Sequence, residues 1–424
     1  MEQTTTTKQA RTDVGSLRAR LKGAVIGPGE EGWDAARQAF DLLLDQRPSV
    51  IAVPADEEDV ASAVRFAREQ GLRVAPQRTG HGADPLGSLE GSILLKTDAL
   101  QGVEIDNEEG RARVRAGAKW GNLVQDASEL GLAALHGSSP TVGIVGYTLS
   151  GGMGWYARKY GFAANSVTAL EIVTADGQLR RVDNDHEPEL FWAVRGGGGN
   201  FGVVTALEFK LFPVAEVYAG VLFFPWERTS ELLHAWCEWL PGVPDEVTSC
   251  GRILQFPPLP MIPEPLRGNS FALVEAVHLG SEADGADLLR PLRELGPAMD
   301  TFAMVPPVAL AEMHMDPPDP APFVGNHQLL SALPAKAIDD LVAVAGPDSG
   351  SPLVSLEIRH LEGALARSEP HHGALSTLPA SFATFALGLA IDAESKPALE
   401  AQLRLVNGAL ERYDAGRFWN FTLE

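Results

Sequence analysis

At 424 residues the chain is too long for one ordinary core, so two domains or one large composite domain are expected. Hydrophobic residues make up 45% and charged residues 21%, a globular composition and not a disordered one. Lys plus Arg number 34 against 56 Asp plus Glu, and the formal net charge of -22 disfavours nucleic-acid and membrane-surface roles, because such a surface repels phosphate and anionic lipid. No run of about 18 apolar residues marks a spanning helix. The first residues lack the basic stretch and apolar run of a signal peptide, so a cytoplasmic protein is expected. Cys237 and Cys250 are the two cysteines, too few for a disulfide framework or a typical zinc site, and read as free thiols.

Residues 1–46 read as an N-terminal arm and a lead-in helix. A short apolar strand follows at 50–54. Asp56 is placed to cap a helix whose apolar face is Val60, Val64 and Ala67 and whose stop is Gly71. A strand at 72–75 runs directly into Arg78-Thr79-Gly80-His81-Gly82-Ala83. Further strands are expected at 92–96, 102–105 and 111–116. In the last, Arg111, Arg113 and Arg115 alternate with Ala112, Val114 and Ala116. Residues 120–130 read as helix, 137–154 as a long glycine-rich loop with almost no charge, and 167–174 and 202–211 as strands. After Pro213 the texture changes. Strands at 218–224, 271–277 and 354–358 and helices at 227–240, 282–295 and 334–346 describe an antiparallel sheet covered by helices. The chain thus divides into an arm (1–46), an α+β domain (47–213), a second domain (214–400) and a C-terminal segment (401–424) that returns to the first domain.

Three stretches carry chemistry. In the turn 78–83, consecutive backbone N–H groups and glycines can converge on a pyrophosphate, although a plain strand-ending turn with an exposed histidine has the same sequence. The stretch 137–154 sets apolar residues among glycines, which suits a backbone lying against a large planar ligand. Residues 197–202 match the spacing of a dinucleotide fingerprint. A strand begins at Val203 where that fingerprint needs a helix, so the match is rejected. His371-His372 has no ligand spacing, and no metal site is expected. His314 reads as an exposed loop histidine near a Pro-rich segment, and Trp236 and Trp239 as core.

In this order and spacing the stretches resemble the FAD-linked oxidases of the berberine-bridge-enzyme-like and 6-hydroxynicotine-oxidase-like family, which share the FAD-binding domain of p-cresol methylhydroxylase and vanillyl-alcohol oxidase. The resemblance is strong over 47–213, fainter over 214–400, and returns at 355–366 and 416–424. It implies a two-lobed α+β fold: a PCMH-type FAD-binding domain plus a substrate domain built on an antiparallel sheet covered by helices. It implies FAD bound covalently through His81. Ser139 stands where many members carry a second, cysteinyl tether, so a single link and a milder oxidant are expected.

Arg78, Thr79, Gly80, His81, Gly82 and Ala83 would hold the pyrophosphate. Ser139, Pro140, Gly143, Gly146 and Tyr147 would line the flavin, and Gly151, Gly152 and Gly154 would admit the ribityl and phosphates. Val204 would meet the adenine, and Asn420 would face the flavin. Where the family has a tyrosine that deprotonates substrate, this chain has Phe418. A replacement base is expected at Glu357, desolvated and with a raised pKa, with Tyr147 as second choice, although an ordinary Glu357–Arg359 ion pair accounts for the same residues. Glu357, Arg359 and Phe418 would line the substrate.

The implied reaction removes hydride from a small organic substrate, such as an alcohol, amine or natural product of secondary metabolism, with dioxygen reoxidising the flavin. A dehydrogenase using another acceptor and a flavoprotein that sequesters a toxic small molecule are the alternatives. Family chains usually continue past the position of Asn420 with a helix, whereas this sequence stops at Glu424.

Overall fold

A computed structural model describes residues 12–260 and 262–423. The first lobe opens with a four-stranded sheet of β1 (Ala24–Ile26), β2 (Val50–Val53), β3 (Arg73–Gln77) and β4 (Ser92–Lys96), in the order β1-β2-β4-β3. β2 and β3 run parallel to β4, and the crossover between them is α1 (Glu57–Gln70). Sequence dictates both ends of that helix. The Asp56 carboxylate accepts the Asp59 N–H at 3.1 Å, and Gly71 takes a φ of 66° at the C-cap. Asp59, itself buried, accepts the N–H groups of Lys22 (2.9 Å), Gly23 (2.8 Å) and Ala55 (2.9 Å). Those bonds and the β1–β2 pairing make residues 22–26 part of the sheet and not a free arm.

A second, antiparallel sheet is formed by β5 (Val103–Asp106), β6 (Arg111–Arg115), β7 (Val167–Val173), β8 (Leu179–Asp183) and β9 (Val203–Lys210), in the order β5-β6-β9-β7-β8. The alternation in β6 holds: Ala112 and Val114 are buried, and Arg113 reaches across the other face to Glu171 at 2.9 Å. Besides the single turn Ala157–Tyr160, two helices in this lobe have no counterpart in the sequence reading. α2 (Ile144–Leu149) lies inside the glycine-rich stretch, and α3 (Pro188–Gly197) ends in the glycine run. Both are short and poor in strong helix formers, so their periodicity is faint. Because α3 precedes the glycines and β9 follows them, rejection of the dinucleotide fingerprint is supported.

The second lobe is one large antiparallel sheet. Its main strands are β10 (Val217–Pro225), β11 (Val247–Gln255), β12 (Ser270–His278), β13 (Phe323–Leu330), β14 (Ser355–His360), β15 (Phe382–Leu389) and β16 (Asp414–Gly416). They lie in the order β10-β12-β11-β14-β15-β13-β16. α4 (Thr229–Trp239), α5 (Glu282–Arg293), α6 (Ala335–Ala345) and α7 (Ser395–Leu410) cover one face. Trp236, Leu341, Leu399 and Leu403 pack there against Val274, Ile253, Leu356 and Ile358. By the period of two, Arg252, Glu275, Glu357 and Arg359 point to the opposite face, toward the first lobe. Most of the C-terminal segment stays with this sheet, through α7 and β16. Among the described residues of this segment, Phe418 packs near Phe162 of the first lobe and Asn420 bonds to its Tyr147 and Gly152.

Candidate active site

The turn after β3 is anchored by Arg78. Its guanidinium donates to Gly117 O and to Asp98, each at 2.6 Å. With the side chain committed, the backbone is free: the N–H groups of residues 79–82 donate to no backbone carbonyl among the described residues. His81 stacks on Phe40 with ring centroids 3.7 Å apart. Its Nδ1 shares a hydrogen bond with Thr79 Oγ1 at 2.7 Å, and its Nε2 lies 3.4 Å from Thr141 Oγ1. Thr141 Oγ1 is in turn 2.9 Å from Ser139 Oγ. Burial, helped by the charge of Lys119, pushes His81 down to about 4, so its imidazole is neutral with a lone pair at neutral pH.

The glycine-rich stretch meets this turn at Gly143, where an added Cβ would lie 3.1 Å from the Arg78 Cβ. Gly146, at the exposed face of α2, would gain a Cβ with nothing within 4 Å, and the same holds for Gly82 and Gly199. Gly151, Gly152 and Gly154 are different, and the expectation that they make room for the ribityl and phosphates is corrected. A Cβ at Gly154 would fall 1.8 Å from His136 O, one at Gly152 2.7 Å from the Tyr147 ring, and one at Gly151 2.8 Å from Phe418. The protein's own atoms occupy that space. Tyr147 is packed edge-on to Trp120, its hydroxyl is buried without a hydrogen-bond partner, and burial drives its pKa well above the usual phenol range. It is a neutral phenol and a poor choice of base.

Asn420 closes this face. Its Nδ2 donates to Tyr147 O at 2.9 Å and its Oδ1 accepts the Gly152 N–H at 3.2 Å. Phe418, expected on the substrate side, is only 2% exposed and packs among Phe162, Leu329 and Leu365. A side chain with no phenol to present gains most from burial. The Phe418 N–H donates to His327 Nε2 at 2.9 Å, while His327 Nδ1 donates to Thr384 O at 2.7 Å. Those two bonds fix one neutral tautomer, in keeping with a pKa lowered to about 4 by burial. Val204 is buried in β9 beside Ile172.

Opposite lies a buried charge cluster that the sequence showed only in part. Arg359 grips Glu357 with both Nε (3.0 Å) and Nη2 (3.1 Å). His314 joins Glu357 through Nε2 and Glu275 through Nδ1, each at 2.6 Å. Arg252 donates to His314 O at 2.6 Å, to Ser355 Oγ at 2.9 Å and to Glu275 at 3.3 Å. The expected raised pKa of Glu357 is therefore corrected. Although burial alone raises it, Arg359 and His314 hold the carboxyl well below its usual range. His314, read as an exposed loop residue, is 3% exposed and is raised to about 9 by Glu275 and Glu357 against the opposing effects of burial and Arg252. The side chain of Glu357 is 3% exposed and that of Arg359 12%, so Arg359 is the member nearest open space. Its guanidinium lies over the rings of Phe421 (5.0 Å) and Trp155 (6.0 Å). A lone acid inside the apolar run 271–277 was the signal that could have found Glu275. Nothing local marks His314 as its partner.

Among the described residues no helix is long and apolar enough to cross a membrane, and no group of three or more His, Cys, Asp or Glu is placed to hold a metal ion. Four free N–H groups, three glycines open on one side and a neutral histidine at their edge fit a flavin dinucleotide.

Comparison with known proteins agrees. Residues 48–183 match an FAD binding domain family. The chain is 37% identical over 223 residues to the (R)-6-hydroxynicotine oxidase of Paenarthrobacter nicotinovorans, covering 53% of this chain and 46% of that protein. It is 32% identical over 246 residues to the xylooligosaccharide oxidase of Thermothelomyces thermophilus, covering 56% and 50%. The matches thus span about half the length of these curated relatives. Among solved structures, 6-hydroxy-D-nicotine oxidase from Arthrobacter nicotinovorans superposes with a TM-score of 0.81 at 26% identity, over 95% of this chain and 90% of that one. The BBE-like 1 protein of Physcomitrella patens shares the fold, with a TM-score of 0.84 at 18% identity, over 96% and 90%. The chain belongs to the FAD-linked oxidoreductases of the berberine-bridge-enzyme-like and 6-hydroxynicotine-oxidase-like family.

Proposed function

We propose that this protein is an FAD-dependent oxidase that takes hydride from a small organic substrate carrying an O–H or N–H next to the reacting carbon, and that dioxygen is its electron acceptor. The observation that carries the reading is the pairing of a free-amide, glycine-edged cradle at His81 with the buried Glu357–Arg359 pair on the facing lobe. FAD, when bound, supplies the two-electron acceptor for the hydride. The chain's residues do the rest. The N–H groups of 79–82 bind phosphate, and Ser139, Pro140, Gly143, Gly146 and Val204 orient the ring systems, with Asn420 closing the face. Glu357, whose ionised form Arg359 and His314 favour, accepts the proton of the substrate O–H or N–H, and Arg359 stabilises the negative charge left behind. Trp155 and Phe421 wall off water beside the guanidinium.

His81 is the proposed point of covalent attachment, supported by its neutral imidazole and its place at the cradle's edge. Ser139, a hydroxyl hydrogen-bonded to Thr141, leaves the attachment single. Oxidase activity, an oxygen acceptor and small-molecule substrates are supported by the relatives named as oxidases. A cytoplasmic role in secondary metabolism belongs to the same proposal. The test is acid precipitation of the purified protein and of His81→Ala, followed by anaerobic mixing with candidate substrates. Yellow colour retained in the pellet of the wild type and lost in the variant is the expected result. Absence of flavin by absorbance and mass would overturn the proposal.

A further inference from the structure

His314 reaches the cluster from outside the sheet. It sits on a loop after the 3-10 turn Pro307–Ala311, and that loop is driven between the two lobes. Two fastenings hold it. Arg252 donates to His314 O at 2.6 Å, and Asp316 accepts the Ser138 Oγ–H at 2.7 Å, from the start of the glycine-rich stretch. Between them Met315 is forced to a φ of 59°, a left-handed conformation that a side chain of this kind rarely adopts. Such strain persists only where the surroundings over-determine it, and here they aim one imidazole. The ring lies edge-on to Trp155, with centroids 5.8 Å apart, and both of its nitrogens end on carboxylates.

We infer that His314 and Glu275 are positioning residues: the 312–316 loop inserts a bridging imidazolium that locks Glu357 and Arg359 into one orientation and one charge state toward the substrate. This rests on the reading above, in which Glu357 accepts the substrate proton. Glu275 and Glu357 lie on different strands, and two buried carboxylates this close repel unless a cation stands between them. The charged groups that act on His314 are Arg252 on β11, Glu275 on β12, Glu357 on β14 and Asp316 on its own loop, and Cys250 on β11 and Arg359 on β14 act on Glu357 beside it. With His314 protonated, Glu357 keeps both Arg359 contacts and remains ionised. With it neutral or absent, Glu357 gains proton affinity and the guanidinium is free to turn away.

The test pairs a spectroscopic readout with a kinetic one. Histidine-labelled holoprotein is titrated by NMR, in the wild type and in Glu275→Gln. His314 should be protonated at pH 7 in the wild type, with its midpoint near 9, and the variant should bring that midpoint down by a full pH unit or more. Separately, 6-hydroxynicotine and xylobiose are screened for bleaching of the flavin, and whichever bleaches it is used to measure kcat/KM against pH. In His314→Gln the acid limb should move up by at least one pH unit, with kcat affected more than KM, whereas Glu275→Gln, in which His314 is still protonated on that limb, should not move it up. A merely structural role would lower the rate at every pH and leave the limb in place. A neutral His314 at pH 7 in the wild type, or an unmoved limb in a His314→Gln protein that retains flavin, overturns the inference. If neither probe bleaches the flavin the functional reading is weakened, and the NMR titration still decides whether the bridge exists.

Discussion

The two walls of the cleft are made of different material. The first-lobe wall is backbone: free amides at 79–82, glycines open at 82, 146 and 199, and polar side chains such as His81 and Tyr147 that stay neutral. The second-lobe wall is side chain: two arginines, two glutamates and a histidine from three strands and one loop, all buried except the partly exposed Arg359. A wall of amides and glycine reads a ligand by shape and by the phosphates it carries, and it needs no tuning of charge. A wall of buried ions has to balance every charge it contains, so each member depends on the next. Binding and chemistry are thereby separated, and the two walls should fail in different ways.

The largest effect should come from Glu357→Gln, which removes the proton acceptor while keeping its shape. Flavin reduction should slow by about 100-fold or more, a typical loss for a proton-transfer group, with the flavin spectrum unchanged. Stopped-flow mixing without oxygen measures it, and a variant that reduces flavin at the wild-type rate would end the division of labour. Next is Gly154→Ala, whose methyl would press on His136 O. Overpacking of this kind costs about 1–3 kcal/mol or more, so thermal unfolding should drop by several degrees even without flavin. Smaller is a pH dependence. His314 binds its proton more tightly folded than unfolded, so its stabilisation is complete below about pH 6.5 and is lost as pH rises through about 9. The difference in Tm between wild type and His314→Gln should shrink over that window. Smallest is Gly146→Ala. Open space surrounds the new methyl, so stability should change by less than about 0.5 kcal/mol. The flavin content of the purified protein should nonetheless fall. If Gly146→Ala unfolds the protein, or Gly154→Ala is silent, the contrast between open and filled glycines is wrong.

How much of this was legible beforehand follows the same divide. The N-cap at Asp56, the stop at Gly71 and the alternation in 111–116 are local, and each was visible as a residue type at a spacing. So was the His81 turn, whose chemistry is written in six consecutive residues. The glycine-rich stretch was seen as a site but misread in part, because sequence cannot tell a glycine that admits a ligand from one that admits Tyr147. The ion cluster was the least legible. Glu357 and Arg359 were found through one strand, but their charge state is set by His314, 43 positions away, and by Arg252 and Glu275 on neighbouring strands. A pKa that depends on non-local partners cannot be read from the residue that carries it.

Asn420 has a consequence for the order of events in the cell. Its amide spans Tyr147 O and the Gly152 N–H, groups made 273 and 268 residues earlier. The first lobe can begin to fold while the ribosome is still adding the second. Its wall nonetheless stays unfinished until the second lobe has been made, since the residue that fastens it lies beyond that lobe's strands in the chain. A ribosome that stalls anywhere before residue 420 leaves a chain without that fastening.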